Sequence, residues 1–277
     1  MRLSAAAAAG LALALLAGCR AVAPAEPVEL SGPLTQGGTV FGRVEPASRV
    51  TLDGKPVRVS KDGRFVIGFG REAPPQAILE IRRPSGDVTR RPLNVAPRQY
   101  DIQRVDGLPQ NLVTPDPEEE ARIAREQAEV LEARKLDLDR PLFESGFIWP
   151  AAGPVSGVYG SQRILNGVPR APHYGVDVAA PEGAPVRAPA DGLVTFADPD
   201  LLLTGGTLVI DHGHGLSSTF IHLSRIDVEL GEEVRQGEPV GAVGATGRAT
   251  GPHLHWGMNW FDVRLDPQLL VEPMPGS

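Results

Sequence analysis

All six histidines of this 277-residue chain lie in its last 105 residues, and four of them, with one aspartate, have types and spacings that suit chemistry. His253 and His255 flank Leu254 in "GPHLHWG". On an extended segment both rings point to one face, with Cα atoms about 6–7 Å apart. His173 and Asp177 are four apart in "PHYGVDVAAPEG", a Gly- and Val-rich stretch that reads as turn and strand. A straight strand would separate their Cα atoms by about 13 Å, too far to share one small site. The chain is therefore expected to bend between them, at Gly175. His255, from a neighbouring strand, then completes a His/Asp/His set.

Two imidazoles and a carboxylate suit zinc, and a catalytic zinc site uses three protein groups and keeps one position open for water. Two roles remain for His253. As a fourth ligand it would close the site and make it structural; beside the water it would move a proton. His222 lies in the apolar stretch "STFIHLSRI", where an unpaired ring would be costly to bury. The pattern predicts that His222 and His253 flank the water and the developing oxyanion, since histidine exchanges protons near neutral pH. An HxH pair, an HxxxD pair or a strand histidine is commonplace alone; the combination carries the reading.

The stretches "HYGVDVAAPEGAPVRAPADGLV", "TLVIDHGHGLSSTFIHLS" and "VELGEEVRQGEPVGAVGATGRATGPHLHW" resemble, in order, the LytM-type (M23) zinc peptidases that cleave peptide cross-links in bacterial cell walls. The resemblance covers roughly residues 146–270. It implies one zinc ion held by His173, Asp177 and His255, with His222 and His253 as catalytic imidazoles, and peptidoglycan stem peptides or cross-links as substrate. It also implies a two-layer antiparallel β groove with the metal at its floor. Where many members continue H-L-H-F-E, this chain has His255-Trp256-Gly257, so the acidic residue after the aromatic is missing. His212 and His214 fall at a hairpin tip and are expected to be turn or surface histidines. Arg163 and Asn166, ahead of the first ligand, are candidates for lining a groove or for loop packing. The rival reading is a non-enzymatic LytM-type regulator that activates a cell-wall amidase. Such regulators lack ligand residues, and this chain keeps the full set.

The elements that must position these residues are mostly β. With 27 prolines and 32 glycines, short strands and many turns are expected. Residues 28–105 alternate around Asp53-Gly54, Asp62-Gly63 and Ser85-Gly86, the pattern of a small antiparallel sandwich of six or seven strands. That stretch holds no histidine. Residues 106–142 read as a linker containing a helix over about 117–136, with Asp116 and Pro117 at its start, and three glutamates near the positive end of its dipole. Its narrow stripe of Ile123, Val130 and Leu131 predicts that it lies along a neighbouring surface or spaces two domains. Residues 143–277 form the expected groove domain. Net charge is −7, which disfavours nucleic acid or an anionic membrane surface as an electrostatic partner.

The N-terminus, "MRLSAAAAAGLALALLAGCR", has the dimensions of a secretory h-region rather than a spanning helix. Leu16-Ala17-Gly18-Cys19 resembles a bacterial lipobox. Residues 1–18 are thus expected to be a lipoprotein signal and 19–27 a tether, with Cys19, the chain's only cysteine, lipidated. The implied location is the cell envelope, on the periplasmic face of the outer membrane. Partners are then peptidoglycan, the lipid anchor and a possible regulatory envelope protein.

Overall fold

The structure, a computed structural model, describes residues 28–105 and 117–274. The signal, the tether, Cys19 and the first part of the linker lie outside the described residues.

Seven strands between Glu29 and Asn94 build two facing antiparallel sheets. One has the order Glu29–Ser31, Thr39–Arg43, Arg64–Gly68; the other runs Lys55–Val57, Arg49–Leu52, Gln76–Arg82, Val88–Asn94. Alternation fixes the inner faces: in "QAILEIR", Ala77, Leu79 and Ile81 are buried, and they meet Val40, Phe65 and Ile67 of the other sheet in one core. Asp53-Gly54 closes a two-residue hairpin with both φ angles positive (48° and 78°), and Ser85-Gly86 turns between the paired strands Gln76–Arg82 and Val88–Asn94. Asp62-Gly63 does something else. The strands on either side of it belong to different sheets, so this turn carries the chain across the sandwich.

Strand Ile102–Val105, expected in the sandwich, pairs instead in parallel with Gln162–Leu165, which also pairs with Val168–Pro169. The module is thereby joined edge-on to the segment just ahead of His173. Arg98–Asp266 (2.8 Å) and Arg58–Asp137 (2.6 Å) add ion pairs between the halves, and Phe41 stacks on Phe143 at 5.3 Å.

The C-terminal half is built on an eight-stranded sheet. Its order is Glu233–Val234, Gly192–Leu201, Gly205–Asp211, Leu216–Leu223, His253–Trp260, Val176–Ala179, Val155–Gly157, with Val263–Leu265 also paired to His253–Trp260. A second sheet, Pro185–Arg187, Pro239–Ala242 and Arg225–Ile226, shares the core: its Val186 and Val240 join Val176, Val178, Leu208, Ile210, Phe220, Leu254, Trp256 and Met258. Those core residues are every second position of their strands. The alternate set, Asp177, Val209, Thr219, His255 and Asn259, therefore lies on the opposite face, in register across neighbouring strands.

Helix α1 spans Pro117–Ala133 and carries Glu118, Glu119 and Glu120 in its first turn. Val130 is its buried residue, packed with Leu201 and Val209 and touched by Phe196. Leu131, expected on the apolar stripe, is 44% exposed. Helix α1 thus lies on the sheet face opposite the main core. Under and beyond it are buried polar atoms without a protein partner: Arg134 Nε, Ser217 Oγ, Asp211 Oδ2 and both amide atoms of Asn259. Each such group costs about 1–3 kcal/mol when buried unsatisfied. Burial also raises the Asp211 pKa to about 7.

Candidate metal centre

Four elements deliver the site. Val176–Ala179 and His253–Trp260 pair antiparallel with Asp177 directly opposite His255, so the two side chains leave the sheet side by side. His173 comes from the loop before that strand. Its backbone is held by its carbonyl accepting from Gly160 N–H (2.8 Å) and its own N–H donating to Ser161 O (2.8 Å). Arg71 of the sandwich reaches across to donate from Nε to the Gly160 carbonyl (2.8 Å), with its guanidinium 4.3 Å over the Tyr100 ring. The N-terminal module therefore buttresses the loop that carries His173.

At Gly175, where a bend was expected, the constraint is clearance. A Cβ there would lie 2.6 Å from both His255 Nε2 and the Trp256 carbonyl oxygen, so only glycine lets the loop pass over the His255 ring. Gly257 answers the departure from H-L-H-F-E. A Cβ at that position would meet the Tyr174 carbonyl oxygen at 3.0 Å, in the space an acidic side chain would have to cross.

His173 Nε2, Asp177 Oδ1 and His255 Nδ1 converge. The separations are 3.0 Å for His173–Asp177, 2.8 Å for His255–Asp177 and 2.9 Å between the two imidazole nitrogens. His173 Nδ1 sits 3.0 Å from the Val158 carbonyl oxygen. A carbonyl only accepts, so Nδ1 carries the proton and Nε2 presents a lone pair. Two nitrogens and a carboxylate oxygen facing one point, with one ring oriented by a backbone carbonyl, is a donor set that fits a divalent cation. Among the described residues this is the one such group of His, Cys, Asp and Glu.

The local field agrees. The Asp177 carboxyl is buried, which would raise its pKa, yet hydrogen bonds and attraction from His173 and His255 hold it far below the usual carboxylate range. Burial pushes His255 down to about 4. At His173 burial opposes protonation, but the Asp177 hydrogen bond and charge outweigh it and raise the pKa. A carboxylate that stays ionised beside lone-pair nitrogens suits cation binding.

His222 and His253 stand beside this triad, their ring centroids 4.9 Å apart. His253 Nε2 is 3.9 Å from Asp177 Oδ1. Each ring is pinned through Nδ1 by a backbone carbonyl: His222 to Thr246 O and His253 to Gly251 O, both at 2.8 Å. Both therefore expose an unprotonated Nε2, and burial lowers the pKa of His222. Strict alternation from Ile221, which faces His255, would send His222 into the core. Instead His222 takes φ = +65°, rare for a non-glycine residue, next to a register shift in pairing with Gly205–Asp211. That irregularity turns its ring to the triad's side.

The remaining candidates lie elsewhere. His212 and His214 occupy the turn between Gly205–Asp211 and Leu216–Leu223, as expected, but they are buried (0% and 1% exposed) rather than superficial. His212 bridges the Asp191 carbonyl and Ser218 Oγ, and His214 packs edge-on against Phe143 at 5.4 Å. Arg163 is exposed on strand Gln162–Leu165 and Asn166 sits in the turn after it, at φ = +48°. The Thr246 and Gly251 carbonyls and Arg71 could not be found from residue patterns, because none of these groups belongs to a recognisable spacing.

Comparison with known proteins agrees with this geometry. Residues 171–267 match Peptidase family M23. A crystal structure described as a peptidase M23 from Pseudomonas aeruginosa is 33% identical, covers 85% of this chain and 94% of its own, and superposes with a TM-score of 0.66. The chain belongs to peptidase family M23. Among curated M23 relatives, the DD-carboxypeptidase/endopeptidase Mpg of Neisseria meningitidis is 42% identical over 103 residues, 37% of this chain and 24% of that protein. The peptidoglycan DD-endopeptidase ShyA of Vibrio cholerae is 43% identical over 86 residues, 31% of this chain and 20% of that one. The M23 chain thus spans about a quarter or less of the length of these relatives.

Gly175→Ala tests the packing of the triad. Its methyl group displaces the His255 ring, and zinc affinity measured by competition with a chromogenic chelator should fall about tenfold or more while the folded β signal in circular dichroism is kept. An unchanged affinity would show that the close passage over His255 is incidental.

Proposed function

We propose that this M23 chain is a zinc-dependent endopeptidase that hydrolyses peptide bonds in peptidoglycan stem peptides or cross-links, with His173, Asp177 and His255 holding one ion. The ion, when bound, supplies Lewis-acid polarisation of a carbonyl and acidification of water. The observation that carries the reading is the pair of backbone-pinned imidazoles beside the triad. With Nδ1 committed to a carbonyl, each ring can take up or release a proton only at Nε2. His253, nearer Asp177, is assigned to take the proton from the attacking water. His222, whose ring centroid lies 4.9 Å from that of His253, is assigned to accept that proton at Nε2 and, once protonated there, to steady the oxyanion and hand the proton to the leaving amine. Burial disfavours charge on the His222 ring, so it holds the extra proton only while negative charge on the substrate faces it.

The name of one curated relative, the peptidoglycan DD-endopeptidase ShyA, supports peptidoglycan as the substrate. A regulator of an amidase would have no use for an intact ligand set and two Nε2 atoms aimed beside it. The placement in the envelope, with Cys19 as a lipid anchor in the outer membrane, is part of the same proposal and rests on the lipobox-like stretch. A regulatory envelope partner is compatible with it.

Purified protein incubated with isolated sacculi should release soluble muropeptides, identified by mass spectrometry, and a chelator should stop the release. His253→Ala should keep one zinc per chain and lose about 100-fold or more in rate, whereas His255→Ala should lose zinc and activity together. Loss of zinc from His253→Ala would make His253 a ligand and the site structural. Separately, cells fed a labelled fatty acid should yield labelled protein and Cys19→Ser should yield none; labelled Cys19→Ser protein would refute the anchor.

A further inference from the structure

The net charge of −7 is unevenly spread. Residues 28–105 hold 13 Lys and Arg against 8 Asp and Glu, so the sandwich is basic while the rest of the chain carries the acidic excess. Charges more than about 10 Å away are screened at 0.1 M salt, so a flat partner responds to the local charge of one face. The sandwich has two outer faces. That of the three-stranded sheet is covered: Val66 belongs to the C-terminal core and Phe41 packs against it, and a Cβ at Gly68 would lie 2.7 Å from Leu265 Cδ2. The outer face of the four-stranded sheet points away from the C-terminal half and is open. Its Arg49, Arg82 and Arg90 are exposed, and Ile78 and Val88 are 42% and 43% exposed.

Alternation and register assemble that face. With Val50, Leu79 and Ile81 turned inward, Arg49, Ile78, Glu80 and Arg82 turn outward, and cross-strand pairing adds Val88 opposite Arg82 and Arg90 opposite Glu80. The same register sets Arg49 directly opposite Arg82. Like charges so placed destabilise a sheet. Glu80, the carboxylate at the centre of the face, is engaged with Arg90 at 2.8 Å and reaches Arg82 only at 3.8 Å; Arg49 has no ion-pair partner among the described residues. Guanidiniums around two exposed β-branched side chains suit a lipid surface, with phosphodiester headgroups for the charges and the acyl boundary for the apolar tips. The point where the chain enters favours the same partner. Arg91, on the edge strand of this sheet, donates to the Val28 carbonyl at 3.1 Å, so the chain enters the sandwich at the rim of the basic face. Residues 19–27 span at most about 30 Å when extended. A lipid on Cys19 would therefore bring this rim within reach of the membrane.

We propose that the outer face of the four-stranded sheet, with Arg49, Arg82 and Arg90, is a docking surface for a phospholipid membrane bearing anionic headgroups, and that it lays the sandwich on that membrane with the C-terminal half on the far side. The inference does not use the peptidase reading; it gives the proposed anchor an orientation. An acyl anchor limits distance but leaves rotation free, whereas a charged face decides which side of the module lies down. A weak face is enough for this, because tethering raises its effective concentration at the membrane to about the millimolar range.

The test is co-sedimentation with vesicles of a zinc-loaded chain beginning at residue 20, which keeps every described residue and carries no acyl group. Binding to phosphatidylcholine vesicles containing about one-third phosphatidylglycerol should exceed binding to phosphatidylcholine alone about tenfold or more at about 0.1 M salt, and should vanish at about 0.5 M. Arg49→Gln/Arg82→Gln should weaken it about tenfold or more, with unchanged zinc content and a melting temperature no lower than that of the unaltered chain, since the repelling pair is gone. Arg187→Gln/Arg235→Gln, the same charge change at exposed positions of the C-terminal half, should bind as the unaltered chain does. No preference for the anionic vesicles, or equal losses in the two double variants, overturns the docking face. So does binding to isolated sacculi that Arg49→Gln/Arg82→Gln removes while no vesicle is bound; the face then serves the wall polymer. Because the tested chain lacks Cys19, vesicle binding supports the face even if labelled fatty acid never reaches the protein, and its failure leaves the anchor untouched.

Discussion

Three lone-pair atoms, two imidazole nitrogens and a carboxylate oxygen, are held within 3.0 Å of one another, and most of the C-terminal half can be read as the means of holding them there. Left to themselves such atoms repel, and only a proton or a cation between them makes the cluster favourable. The cost is met by a rigid sheet. Asp177 and His255 are cross-strand neighbours whose backs are Val176, Val178, Leu254 and Trp256, all fully buried. Neither side chain can retreat without disrupting that core.

The remaining members of the site are fixed by backbone rather than by other side chains. Val158, Thr246 and Gly251 each offer a carbonyl to an Nδ1, which sets the tautomer of three rings at once. The left-handed backbone at His222 serves the same end by breaking the strand's alternation where a ring is needed on the wrong face. The N-terminal sandwich contributes at a distance through Arg71 and the parallel pairing of Ile102–Val105 with Gln162–Leu165. These contacts make it a brace for the His173 loop.

Much of this was legible in the chain itself. The His/Asp/His set, the HxH pair and the β class follow from spacing and alternation, and helix α1 from its acidic start and Pro117. What was hidden depended on long-range contacts. The role of Gly175 is clearance for a ring 80 residues away, not a bend signal. Asp62-Gly63 looks like a hairpin but crosses between sheets, because only pairing partners distinguish the two. His212 and His214 read as turn or surface histidines and do occupy a turn; their burial beneath Phe143 and Phe147 comes from residues 138–147 folding over that turn. The face chosen by α1 likewise could not be read from a stripe in which Val130 is buried and Leu131 is exposed.

The most direct measurement is X-ray absorption spectroscopy at the zinc edge on the full chain loaded with one equivalent of the metal. A site held by His173, Asp177 and His255 should give a first shell of light atoms at about 2.0–2.1 Å, with outer-shell scattering from two imidazoles. That scattering should stay at two imidazoles in His253→Ala, whereas His255→Ala, which loses the ion, should show no such zinc site. A shell of three or more imidazoles in the native chain, or one unaffected by His255→Ala, would contradict that ligand set.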